Sequence, residues 1–127
     1  MKKFNKTIFV AVDTSDLSQA KKIIEYIKRY GLIPKFGLQF FYSKNGRKFL
    51  ENYKSEFMLD IKASDIPQTI SSALYSIRDL KKIKYLTVMA NVGLQGLKAF
   101  KKEALKINNS VVICGVTILT SLNNKSL

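Results

Sequence analysis

The sequence contains no histidine and one cysteine, and these two scarcities remove most metal chemistry at once. Zinc and haem sites are assembled from His and Cys ligands, so neither is expected and no metal site is assigned. A single cysteine also excludes a disulfide within the chain. Cys114 lies in the apolar run 111–116 and reads as a buried thiol. Long hydrophobic runs are missing too: nothing approaches the roughly 20 apolar residues of a membrane-spanning helix. The start, Met1-Lys2-Lys3-Phe4-Asn5-Lys6-Thr7-Ile8-Phe9-Val10, is basic, but its apolar run is too short for a signal peptide. A cytoplasmic protein without membrane attachment is expected.

Acidic residues are scarce as well, 9 against 22 Lys and Arg, giving a net charge of +13. A basic surface attracts phosphate, which raises nucleic acid as a partner. Only Arg29, Arg47 and Arg78 are arginines, whereas arginine is the side chain that most often reads bases and clamps phosphates. The lysine groups, Lys21-Lys22, Lys81-Lys82 with Lys84, and Lys101-Lys102, fall in or beside different helices, as solvated faces do. No nucleic-acid partner is assigned, and the charge is read as suited to an anionic small molecule.

What is present is enough for one core. A chain of 127 residues that is 46% hydrophobic fits a single domain, taken as residues 1–127. Residues 7–12 form an apolar, β-branched run of the kind a doubly covered parallel strand shows. Leu17, Ala20, Ile23, Ile24, Ile27 and Tyr30 then recur at helical spacing, and Gly31 ends that helix. The pattern repeats: strand 32–37, helix 43–53, strand 57–62, helix 66–80, strand 85–89, a helix marked by Leu94, Leu97, Phe100, Ala104 and Leu105, and strand 111–117. Strict alternation predicts an α/β fold, a parallel sheet of right-handed βαβ units. In such folds ligands sit at the carboxyl ends of the strands. Asp13, Lys35, Asp60 with Lys62, Asn91, and residues 117–121 gather at those ends.

The densest cluster is Leu59-Asp60-Ile61-Lys62-Ala63-Ser64-Asp65-Ile66-Pro67-Gln68-Thr69. On a strand, side chains two residues apart share a face, so Asp60 and Lys62 are expected side by side. Asp65 follows at a helix entrance, with Pro67 in the first turn and Gln68 three residues on, as in a capping box. Taken singly, Asp13 or Asp16 could cap the first helix, Asp65 the third, and Lys62 could be an ordinary surface lysine. Their recurrence at equivalent positions of successive units favours a site.

Asp60-x-Lys62-x-x-Asp65-Ile66-Pro67-x-Thr69 resembles the signature of the orotidine 5'-phosphate decarboxylase family. Val10-Ala11-Val12-Asp13 is similar to that family's first strand, Pro34-Lys35-Phe36-Gly37 to its second, and Gly115-Val116-Thr117-Ile118-Leu119-Thr120-Ser121-Leu122 to its fifth. The acid-x-Lys-x-x-acid core is shared with related phosphosugar enzymes; the Asp65-Ile66-Pro67-x-Thr69 continuation and the fifth strand favour the decarboxylase.

The resemblance implies a (β/α)8 TIM-barrel type fold, here incomplete, with about five strands and an open barrel, since a whole barrel takes about 250 residues. It implies cofactor-free conversion of orotidine monophosphate to uridine monophosphate, a step of pyrimidine biosynthesis. Lys62 then matches the proton donor and Asp60 the acid facing the departing carboxylate, and Lys35 and Asp65 are counted with them as catalytic residues. Lys35 and Asp13 match ribose-binding residues, and Thr120 and Ser121 fall where the family contacts the base. Asp65, with Ile66 and Thr69, matches residues that reach across a dimer interface. The family's phosphate-gripping arginine and glutamine belong to strands this sequence does not contain. A homodimer or a complementing chain is therefore expected as partner, besides the nucleotide. Met89-Ala90-Asn91 stands where the family usually has a histidine, and Gln68 where asparagine is common. The alternative reading is a non-catalytic remnant or small binding domain on a half-barrel scaffold.

Overall fold

A computed structural model describes residues 6–126. In chain order the elements are β1 (Phe9–Ala11), α1 (Leu17–Lys28), β2 (Ile33–Gly37), α2 (Leu38–Phe41), α3 (Gly46–Asn52), β3 (Phe57–Ala63), α4 (Pro67–Ser76), β4 (Ile83–Met89), a 3-10 turn (Ala90–Val92), α5 (Gly93–Ile107) and β5 (Val112–Val116). The five strands form one sheet in the order β1-β2-β3-β4-β5, every pair parallel. Strand order equal to chain order, with a helical connection at each step, is the winding of a barrel wall.

Local chemistry explains the boundaries. Asp16 caps α1, its Oδ1 accepting from the N–H groups of Ser18 and Gln19 at 2.8 and 3.2 Å. Gly31 then takes φ +65°, a left-handed turn that glycine enters without a Cβ penalty. Pro67 occupies the first turn of α4, where its missing N–H is no loss. The expected capping box does not form. Ile66 is the cap residue and gives no side-chain bond, Asp65 Oδ1 accepts from the Ile66 N–H at 2.7 Å, and Gln68 points along the helix to Ser72.

Between β2 and the next expected helix, a stretch to which the sequence assigns no element, Leu38–Phe41 makes one helical turn, α2. Two further expectations are corrected. The helix expected over 43–53 begins at Gly46, which packs so tightly on α2 that an added Cβ would lie 1.8 Å from the Phe40 carbonyl oxygen. In α5, Phe100 and Ala104 are buried as marked, but Leu94 and Leu105 face solvent at 65% and 41% exposure. Gly96 and Ile107 complete its buried face instead.

The core lies between the helices and one face of the sheet. Val12, Phe36, Leu59, Leu86 and Val88 point to that side and are 0% exposed. Against them pack Ala20 and Ile24 of α1, Ile70 and Leu74 of α4, and Phe100 and Ala104 of α5. Phe36 is the hub of an aromatic group, with ring centroids 4.8 Å from Phe40, 5.5 Å from Phe57 and 5.8 Å from Tyr53. Each such fully buried side chain contributes about 1.5–3 kcal/mol.

The other face carries the alternate residues Lys35, Met58, Asp60, Tyr85, Thr87, Cys114 and Val116. It is concave. Phe9 on β1 and Tyr85 on β4 meet edge to face with centroids 4.7 Å apart, although two strands lie between them in the sheet. Only a strongly curled sheet brings those rings together. Cys114 belongs to this face and is partly exposed, so the expectation of a buried core thiol is corrected: the apolar run was right, but its alternate residues have no opposite wall among the described residues.

Candidate active site

Asp60 is the centre of the concave face. It is the middle residue of β3, whose first residues, Phe57 to Leu59, are anchored in the interior, and it is itself only 7% exposed. A buried carboxylate survives as an ion only when paired and hydrogen-bonded. Its Oδ2 accepts from Lys62 Nζ at 2.8 Å and from Lys35 Nζ, on the neighbouring β2, at 3.4 Å. Its Oδ1 accepts from the Thr87 hydroxyl of β4 at 2.9 Å. Burial pushes this carboxyl group up. The hydrogen bonds from Lys62 and Thr87 and the charges of Lys62 and Lys35 outweigh that, so its pKa lies below the ordinary aspartate value.

Lys62 does not reach Asp60 along a flat strand. The register passes from Leu59 opposite Leu86 to Ala63 opposite Val88, so β3 spends four residues where β4 spends two. This is a bulge, a device that re-aims a side chain. Lys62 sits in it with φ +45°, a non-glycine residue in left-handed backbone, which costs about 1–2 kcal/mol. Its N–H donates to the Thr87 hydroxyl oxygen at 2.9 Å. One threonine side chain thus accepts from the strained backbone and donates to the central acid. Thr87 was not among the residues singled out in the sequence; the available signal was its alternation with Tyr85 and Met89, which puts it on the face of Asp60.

The remaining candidate residues surround this cluster at different distances. Asp13, just after β1, is exposed and leans over Gly37, its Oδ1 3.6 Å from where a Cβ on that glycine would stand. Asp65 joins neither lysine among the ion pairs of the described residues. It lines, with Lys62, Thr69, Leu38 and Tyr42, a groove of about 490 Å³ that runs between α2 and the length of α4 from the end of β3. Ile66 beside it is 66% exposed. Thr120 and Ser121 lie exposed in the turns that follow β5. Cys114 faces the cluster from β5, opposite Thr87, and burial together with the Asp60 charge pushes its thiol up.

Chemically, the arrangement is one ionised acid between two ammonium groups at the mouth of a concave sheet. The Lys62 side chain is 39% exposed and that of Lys35 30%, so both amines can touch a bound molecule while Asp60 stays behind them. Such an array offers a proton and a fixed positive field. Among the described residues no group of three or more His, Cys, Asp or Glu side chains gathers to hold a metal ion, and no helix is long and apolar enough to cross a membrane.

The family model of the orotidine 5'-phosphate decarboxylase / HUMPS family matches residues 6–127. The chain belongs to that family. It is 35% identical to the orotidine 5'-phosphate decarboxylase of Carboxydothermus hydrogenoformans over 130 residues, which cover 97% of this chain and 53% of that protein. With the enzyme of the same name from Prochlorococcus marinus subsp. pastoris the identity is 34%, over 98% of this chain and 55% of the relative. Among solved structures, the orotidine 5'-monophosphate decarboxylase of Methanocaldococcus jannaschii, crystallised with the inhibitor BMP, superposes with a TM-score of 0.68 at 28% identity, covering 80% of this chain and 48% of that one. An uncharacterised conserved protein of Geobacillus kaustophilus gives a TM-score of 0.72 at 21% identity, covering 93% and 57%; at that identity the likeness is one of fold. This decarboxylase-family chain therefore spans about half the length of the curated relatives it matches. Its open five-stranded sheet corresponds to about half of a barrel.

Proposed function

We propose that this chain carries the proton-donating half of an orotidine monophosphate decarboxylase site, the other half being supplied by strands outside it. The observation that carries the reading is the Lys35–Asp60–Lys62 array, two amines on one buried carboxylate oxygen at 3.4 and 2.8 Å, on the concave face of β2 and β3. In the proposed step the bond between the pyrimidine ring and its carboxylate breaks, carbon dioxide leaves, and the electron pair remains on the ring carbon. Lys62 transfers an N–H proton to that carbon, giving uridine monophosphate, and is reprotonated from water. Asp60, held ionised, stands against the substrate carboxylate and is relieved as carbon dioxide departs. The fixed ammonium charges stabilise the developing carbanion without a metal or cofactor.

Lys35 and Asp13 are proposed to bind the ribose, and Thr120 and Ser121 to approach the base. Asp65, Ile66 and Thr69 are proposed to serve a second copy's site in a homodimer; their exposure beside the groove supports this. The phosphate grip is assigned to the missing strands, whose binding energy also drives turnover. A cytoplasmic setting suits the reaction. The complete hydrogen bonding of Asp60 favours this reading over a non-catalytic remnant, because a buried charged array without a task is costly to keep.

The test is decarboxylation of orotidine monophosphate, followed by loss of ultraviolet absorbance. The chain is assayed alone and mixed with the remaining strands of a full-length decarboxylase as a separate polypeptide, with a full-length relative split at the same point as the positive control. Little turnover alone and clear turnover when mixed is the expected result. A stable mixed complex without turnover, where the split control is active, would overturn the proposal.

A further inference from the structure

We propose that Thr87 is a positioning residue that sets Asp60 and Lys62 together, its single hydroxyl holding the carboxylate of one and the left-handed backbone of the other. The role in turnover rests on the decarboxylase reading; the positioning itself does not. Thr87 is 2% exposed, so its hydroxyl has no water to fall back on. It gives its one proton to Asp60 Oδ1 at 2.9 Å and accepts the Lys62 N–H at 2.9 Å. These bonds leave Asp60 Oδ2 for the two ammonium groups.

The geometry makes the hydroxyl a pin between strands. The bulge of β3 lies beside β4 where the ladder skips from Leu86 to Val88, and Thr87 is the residue at the skip. No strand bond from β4 serves the Lys62 N–H there; the side chain takes that place. Without it, Oδ1 loses its partner in a buried setting and the Lys62 N–H in a half-buried one, a larger loss than the average bond. The Lys62 backbone is then no longer held at its left-handed φ of +45°, the conformation from which its side chain reaches Oδ2. Serine can form both bonds, whereas valine, matching the shape of threonine, can form neither.

The test compares the full chain with Thr87→Val and Thr87→Ser in two substrate-free measurements. The groups facing Asp60 are Lys35 from β2, Lys62 from β3, and Thr87 and Cys114 from β4 and β5. Carbon-13 titration of the Asp60 carboxyl is expected to move to higher pH in Thr87→Val and to stay near the parent in Thr87→Ser. Hydrogen exchange at the Lys62 amide is expected to be slow in the parent and in Thr87→Ser, and at least tenfold faster in Thr87→Val. A folded Thr87→Val with the parent's Asp60 titration overturns the proposal. So does a fast-exchanging Lys62 amide in the parent, which decides the matter even if the valine variant does not fold. In the complemented assay kcat is expected to fall about 10- to 100-fold for Thr87→Val, with serine restoring it. An inactive parent alongside the expected titrations would overturn the decarboxylase reading and leave the pin standing.

Discussion

Lys62 Nζ stands 2.8 Å from Asp60 Oδ2, and it does so out of a bulge in which the backbone of Lys62 is left-handed at φ +45°. The same carboxylate oxygen receives Lys35 Nζ at 3.4 Å. One buried anion therefore keeps two cations together that would otherwise repel each other. The state of that anion governs both the local stability and the chemistry the cluster can offer.

Acid should expose this dependence. Asp60 has a folded pKa below the ordinary aspartate value, so its contribution is complete above the unfolded value of about 3.9 and is lost as pH falls through the lower folded value. Urea unfolding of the parent and of Asp60→Asn, taken at steps from about pH 6 downward, measures it. The parent is expected to lose stability through that window, and Asp60→Asn to lack this share of the slope. At neutral pH the substitution is expected to cost about 1–3 kcal/mol. The full buried-pair value is not expected, because the Lys35 and Lys62 side chains, 30% and 39% exposed, can turn to water.

Cys114 reports the same charge from the next strands. Burial and the Asp60 anion both push its thiol above the usual value, and the thiolate is the reactive form. Alkylation by iodoacetamide at about pH 8 is expected to be slower than for a cysteine in an unstructured peptide, and faster in Asp60→Asn than in the parent. Equal rates in parent and variant would contradict the electrostatic link between the two residues.

The packing of α2 on α3 has a sharp requirement at one residue. A Cβ at Gly46 would lie 1.8 Å from the Phe40 carbonyl oxygen, a backbone atom that cannot swing aside. Gly46→Ala is expected to destabilise the chain by about 1–3 kcal/mol. At Gly115, where the nearest atom to an added Cβ is 3.9 Å away, alanine is expected to stay within about 0.5 kcal/mol of the parent. Denaturant midpoints with unchanged slopes would check both.

The alternation of strands and helices was legible because each strand buries a short apolar run and each long helix carries a 3.6-residue stripe. Leu38–Phe41 escaped because a single helical turn has no period to read, and Leu-Gln-Phe-Phe continues a strand equally well. The Asp60–Lys62 contact was legible from two-residue spacing, although the backbone achieves it through a bulge that spacing does not show. The approach of Lys35 to Asp60 follows from their places on one face of adjacent strands, Lys35 standing beside Met58, two residues before the partner of Asp60. Thr87 was hidden because a threonine within a β-branched strand is ordinary sheet-forming composition; only the register of β4 on β3 reveals its two bonds. Asp65 looked like a helix cap because residue order suggested it, but its carboxylate closes on the N–H of the very next residue.

Whether Lys62 delivers the proton is decided by the decarboxylation rate of the complemented assembly with Lys62 intact and with Lys62→Ala, compared in the same absorbance assay. The lysine is partly exposed and the core lies on the opposite face of the sheet, so the variant is expected to fold and to associate with the added strands as the parent does. Measurable turnover is expected for the parent and none above background for Lys62→Ala. Comparable turnover by both would show that the proton comes from elsewhere and would contradict the role given to the Lys35–Asp60–Lys62 array.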